Sequence, residues 1–137
     1  MAEKLRLQGH PIHTRCLEVT VEQPKPSRVR AQGRILDLRK FGFVPTGGDL
    51  QGAGVIHDMS IQAEVSIEHR TIELFEPFQQ VVPFEASPRT EGESCRDSIH
   101  RLRDLVGSSL DGSLSKRLSQ AYGGALGCSH LLTLAHL

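Results

Sequence analysis

Two short stretches hold the side chains best suited to chemistry, Ile56-His57-Asp58-Met59 in mid-chain and Gly127-Cys128-Ser129-His130 near the end. His57 belongs to an alternating run in which Val55, His57, Met59, Ile61, Ala63 and Val65 occupy one face and Asp58, Ser60, Gln62 and Glu64 the other. A period of two is that of a half-buried strand, so the imidazole points with the apolar residues, where it needs a polar partner. Asp37 ends another alternating run and is the candidate partner: a carboxylate on one ring nitrogen leaves the other free as base or ligand. A hydrogen-bonded core histidine satisfies the same pattern. Asp58, adjacent in sequence, faces the opposite way in a regular strand.

Cys128 and His130 flank the start of an apolar run that reads as a helix. Unpaired amides and the positive dipole end at such a start favour a thiolate, which makes Cys128 a candidate catalytic group. His57, Cys128 and His130 together offer nitrogen and sulfur donors that suit zinc or iron. The plainer alternative is a small residue packed after Gly127 beside an exposed His130, since Cys-x-His is not a specific metal signature. His13 and Arg15 form a cationic pair ahead of the first strand, in which the guanidinium fork can clamp a substrate carboxylate and His13 can add an acid or ligand; a solvated arm is the other reading. Cys95 joins them as a substrate-contacting candidate at a predicted helix start, or is simply the first member of that helix's apolar stripe.

Strands must position most of these groups. Leu17, Val19 and Val21 alternate with Glu18, Thr20 and Glu22 over 16–22, and a second strand runs over 28–38 with Val29, Ala31, Gly33 and Ile35 on one face and Asp37 continuing it. Residues 42–54 hold five glycines and Pro45 and read as a mobile loop. The His57 strand covers 55–65, and a fourth, 70–75, turns Ile72 and Leu74 inward before the prolines at 77, 83 and 88. Helical spacing follows: Cys95, Ile99, Leu102 and Val106 with Ser94 and Asp97 as a capping pair, then Leu110, Leu114 and Leu118, then a helix from Ser129 that its hydroxyl caps. The expected fold is α+β, a single domain over 1–137 in which an antiparallel, curved sheet is followed by about three helices packed on one side, with 1–12 as a flexible arm.

Composition removes several classes. The 137 residues include 38% hydrophobic and 23% charged, the balance of an ordinary globular chain. Sixteen basic residues match sixteen acidic ones, and with no Trp and one Tyr there is neither a field nor a stacking platform for nucleic acid. No run approaches the length of a spanning helix, the opening MAEKLRLQGHP lacks a signal-peptide core, and the three cysteines are odd in number and widely spaced. A cytoplasmic protein that meets a small-molecule substrate, not a membrane or nucleic acid, is expected, with a homodimer if the last helix leaves Leu131 to Leu137 exposed. Walker, dinucleotide, HExxH, paired CxxC and serine-elbow motifs are all missing from the sequence.

Taken in order, HTR at His13, LD at Leu36, IHDM at Ile56, Cys95 before LVG, and GG..GC.HL from Gly123 resemble a bacterial domain-of-unknown-function family, numbered twenty-eight eighty-nine. The resemblance spans His13 to Leu137 and singles out His13, Arg15, Asp37, His57, Asp58, Cys95, Cys128 and His130 together. The chain departs from the family pattern at VEQPKPSRVRAQG, which lacks its tryptophan, and at SPRTEGESC, which lacks an aromatic. The expectation is an enzyme acting on a small organic acid or aromatic catabolite by lyase- or isomerase-type proton transfer, with His57 as base, Asp37 as its orienter, Arg15 as carboxylate anchor, and zinc or iron as the candidate cofactor. The alternatives are a non-catalytic protein that holds a metal or small ligand for a partner enzyme, and a scaffold subunit.

Overall fold

A computed structural model of the chain describes residues 9–137, so residues 1–8 of the expected arm lie outside the described residues. Four strands, β1 (His13–Lys25), β2 (Arg28–Arg39), β3 (Gly54–Ser66) and β4 (Thr71–Val81), form one antiparallel sheet in the order β1-β2-β3-β4. The fold is α+β, as the sequence predicts: a 3-10 helix over Ile99–Leu105, helix α1 (Leu114–Tyr122), a short 3-10 turn over Gly124–Leu126 and helix α2 (Ser129–His136) follow the sheet.

The helical segments and one sheet face share a core. Ile35, Met59, Ile61, Ile72 and Phe75 meet Leu102, Leu105, Leu118, Tyr122, Leu131 and Leu134 there. Helix α2 comes down over β2 at Gly33, where a Cβ would stand 3.3 Å from Leu134 Cδ2, a tight approach that the glycine relieves. Leu131 and Leu134 point inward, so α2 does not offer the broad exposed apolar face that would have argued for a dimer, and only Leu137 at its end is well exposed. The opposite sheet face is polar and carries ion pairs such as Arg30 with Glu64 and Arg34 with Asp58. Among the described residues no helix is long and apolar enough to cross a membrane.

Three local departures from the sequence reading have physical causes. Asp37 pairs with His57 but Leu38 pairs with Val55, so Ile56 is an extra residue on β3; the bulge buries Ile56 beside His57 and leaves Val55 42% exposed. A second irregularity near Glu73 turns Leu74 out and Phe75 in, and β4 continues through Pro77 to Val81. The segment 94–106 is not an α-helix: Ile99, Leu102 and Leu105 recur every three residues, the 3-10 period, and Val106 falls outside. Asp97 does accept a hydrogen bond from the Ser94 backbone N–H at 2.8 Å, half of the expected capping pair. Between β2 and β3 the glycine-rich loop closes on itself through reciprocal backbone bonds between Phe43 and Gln51 of 3.0 and 2.8 Å.

Candidate functional site

The strand register lays Arg15, Asp37 and His57 side by side. Arg15 pairs with Asp37 across β1 and β2, and Asp37 with His57 across β2 and β3, so three strands contribute one row on the helix-covered face. Asp37 is fully buried. Arg15 grips it with both arms of the guanidinium, Nε to Oδ1 and Nη2 to Oδ2, each at 2.7 Å. His57 Nδ1 lies 2.8 Å from Oδ2, yet the pair does not meet the geometry of a directed hydrogen bond, so the contact is close and becomes an ion pair only when the ring is protonated. His13 Nε2 stands 3.4 Å from Oδ1 at the open edge.

Helix α2 closes the row from above. Cys128 is its N-cap residue, with extended backbone angles and no side-chain cap bond, and the Ser129 hydroxyl does not take the capping role that the sequence predicted. The first turn then drops His130 onto His57, the ring centroids 3.7 Å apart and tilted by 32°. His130 Nε2 is 3.4 Å from Asp37 Oδ2 and 2.7 Å from Arg15 Nη2. One carboxylate is thus surrounded by three imidazoles and a guanidinium. Cys128 itself is turned away from this group, with Sγ 3.7 Å from Met59 Sδ and 4.0 Å from His130 Nδ1. Cys95 and Cys128 line one cavity, and the Cys95 backbone carbonyl accepts a hydrogen bond from the Gln79 amide. Asp58 is on the other face of the sheet, clamped by Arg34 at 2.9 and 2.8 Å.

These surroundings set the charges. Burial pushes the Asp37 carboxyl up, but the Arg15 fork, with His13 and His57 beside it, outweighs that and holds the pKa at about 2. Burial moves His57 the opposite way, below its usual value, against the pull of Asp37. His130 is driven down to about 4 by burial first and then by the positive charge of its neighbours. The site at neutral pH therefore holds an ionised carboxylate, one guanidinium and two neutral stacked imidazoles, which is a base and a second proton-carrying group held in contact. Asp37, His57 and His130 also offer ligand atoms that all lie within 4.8 Å of one another, a spacing a single divalent ion can span.

Asp58, though adjacent to His57, sits in a paired position on the solvated face. Exchanging it for asparagine removes a partly exposed ion pair and is expected to lower stability by about 1 kcal/mol, checked by urea denaturation, and to leave the His57 and His130 ring resonances in place.

Met59 is a core side chain in contact with Cys128 that sequence reasoning did not single out; its one signal was its place two residues from His57 on the same face. No curated protein and no solved structure matches the chain. A family model does, over residues 13–137, and it is described as a protein of unknown function, DUF2889. The match begins at His13, the first residue of the site, and runs through the α2 turn that supplies His130, so the chain belongs to this family.

Proposed function

We propose that the chain is a small enzyme that moves a proton on a small organic acid, aromatic catabolites included, in a lyase- or isomerase-type reaction. The observation that carries this reading is the Arg15, Asp37, His57 row: a buried carboxylate kept ionised by a bidentate guanidinium and set 2.8 Å from a neutral imidazole. Asp37 orients His57 and stabilises the imidazolium that forms when the ring accepts a proton. The His57 imidazolium then returns its proton to the leaving group or to the neighbouring carbon, while the neutral His130 ring lies against it. At the rim the side chains of Arg15 and His13 are 46% and 40% exposed, and a substrate carboxylate meets these two cationic or hydrogen-bonding groups first.

Solvent exchange tests the reading without knowing the product. The protein is incubated in D2O with small hydroxy-, keto- and aromatic carboxylic acids, and the C–H beside the carboxylate is followed by proton NMR. Wild type is expected to exchange at least one of them, and His57→Gln to slow that exchange by about a hundredfold or more while stability stays within about 2 kcal/mol. Exchange that survives the substitution, or a folded wild type that exchanges none of the acids, counts against the proposal.

A second reading is a holder of a divalent ion, zinc or iron, for another enzyme. It is favoured by the shared reach of Asp37, His57 and His130 and by the buried His57 Nδ1 that lacks a directed hydrogen bond. Asp37 takes the place in this set that the sequence reading gave to Cys128. Arg15 Nη2, however, stands 2.7 Å from both Asp37 and His130, so its charge lies beside the position of the ion. On this reading Arg15→Met binds zinc more tightly than wild type does; equal or absent binding by both, measured by competition with a chromophoric chelator, removes it.

A further inference from the structure

The sheet treats its two edges differently. At β4 the chain covers its own edge: Gly107 N–H donates to the Ile72 carbonyl at 2.8 Å, Ile72 N–H to Ser108 at 3.0 Å, and Leu110 N–H to the Arg70 carbonyl at 2.7 Å. The Arg96 guanidinium takes the Gln79 carbonyl, and Pro77 has no N–H to offer. The edge strand β1 has no such cover among the described residues. Every one of its residues is exposed, although Leu17, Val19 and Val21 pair with Ile35, Gly33 and Ala31 on the face that carries the core. Ile12 accepts a bond from Lys40 N–H, and His13 stands opposite Arg39. The even-numbered residues of β1 therefore turn their backbone groups toward β2, and Leu17, Val19 and Val21 turn theirs outward.

We propose that β1 pairs antiparallel with β1 of a second copy of this chain, about a two-fold axis at Val19, so that two four-stranded sheets become one. The strand fits itself in this register. Keeping the apolar faces continuous sets odd-numbered residues opposite odd-numbered ones. An axis at Glu18 would set that carboxylate against its own copy, and an axis at Thr20 would set Glu18 against Glu22, both unfavourable. Axes at Leu17 or Val21 avoid this but lay Val19 against Arg15 or Gln23. The axis at Val19 sets Val19 on Val19 and Leu17 on Val21, each pair exchanging two backbone bonds, with Glu18 opposite Thr20 and Cys16 opposite Glu22. Glu22 is already paired with Arg30 at 3.1 Å.

Side chains and backbone agree on where the partner lies. Proline, lysine and a bulge are the devices that keep an edge unpaired, and in β1 they occur only at its end, as Pro24, Lys25 and the irregularity after Glu22. Helix α2 packs on β2 and β3. Between it and β1 runs an apolar groove of ≈ 130 Å³, lined by Val19, Val21, Gly33, Phe75, Leu134 and Leu137 among others. Pairing brings Leu17 of the second copy opposite Val21 at the border of this groove, which takes apolar surface of both copies out of water. Asp37, His57 and His130 lie outside the row, so the dimer stands or falls apart from the proton-transfer reading.

The test is the mass of the whole protein in solution, by sedimentation equilibrium over a series of concentrations. Wild type is expected at twice the 15.1 kDa of one chain. Val19→Lys sets two ammonium groups across the axis at a position 43% exposed, and is expected to weaken association about a hundredfold while the circular dichroism and urea midpoint stay unchanged. Leu50→Lys, at an exposed apolar residue of the loop, should dimerise as wild type does. A monomeric wild type, or a dimer that survives Val19→Lys, overturns the proposal. So does a chain that dimerises only once residues 1–8 are removed, because that segment then holds the edge. Register is read separately in a Cys16→Ser background. Oxidising a mixture of Glu18→Cys and Thr20→Cys chains should link one of each, since the pairing sets these positions directly opposite, about 4.5 Å apart at Cα. Glu18→Cys chains linked to one another instead would place the axis elsewhere and refute pairing about Val19.

Discussion

Arg15→Met is expected to lower stability at neutral pH by about 2 kcal/mol and to reverse how the site responds to acid. Removing one member of a buried ion pair costs about 3–5 kcal/mol when both groups are buried, and the smaller figure reflects a guanidinium that is nearly half exposed while Asp37 is not. In the wild type the Asp37 pKa is lowered from 3.8 to about 2 in the folded state. A depressed folded pKa contributes stability that is fully present above the unfolded value and is lost as pH falls through the folded one, so this contribution fades between about pH 4 and 2. Without Arg15, burial becomes the main influence on Asp37 and raises its folded pKa. The contribution then changes sign and becomes a penalty as pH rises through the unfolded value. The gap between wild type and variant should therefore be wide at pH 7 and narrow near pH 2.5, measured as urea midpoints at the two pH values. A gap independent of pH would mean that Arg15 acts through packing alone.

The same pair shows where sequence reasoning stops. Alternation placed Asp37 and His57 on the core faces of their strands, and both are there. It could not say that they would be neighbours, because that depends on the register between β2 and β3 across the long loop that joins them and on the bulge at Ile56, where one inserted residue leaves His57 opposite Asp37. Arg15 was read as free to hold a substrate, since nothing in its spacing reveals that the next strand presents a carboxylate to it. Pro77 made β4 look finished at Phe75, but on the outer strand a missing N–H breaks no ladder bond. The 3-10 segment was hidden because Cys95, Ile99, Leu102 and Val106 satisfy a helical period as well as Ile99, Leu102 and Leu105 satisfy a period of three. The meeting of His57 with His130 was the least legible contact. It rests on α2 lying down over Gly33, which is a property of packing between elements a hundred residues apart.

Gly127→Ala is the second substitution with a large expected effect, and it acts on that packing directly. Gly127 has extended backbone angles, so any residue could adopt its conformation; the obstacle is space. A Cβ there would stand 2.6 Å from three carbons of the Tyr122 ring, itself 1% exposed and held in the core. Neither side can yield by rotating a flexible end, so the turn before α2 must shift, and overpacking of this kind costs about 2–3 kcal/mol, a fall in Tm of roughly 8 °C. Gly112→Ala, whose Cβ would have nothing within 4 Å, is the control and should leave Tm unchanged or slightly raised. Because the shift moves Cys128 and His130 with the turn, loss of the His57–His130 ring contact, seen as a change in both imidazole resonances, should accompany the fall in Tm. If the clash with Tyr122 is the cause, pairing Gly127→Ala with Tyr122→Leu should cost less than the two separate losses added together. Strict additivity would place the effect of Gly127 in the unfolded chain, and would leave the position of His130 to be explained by α2 and Gly33 alone.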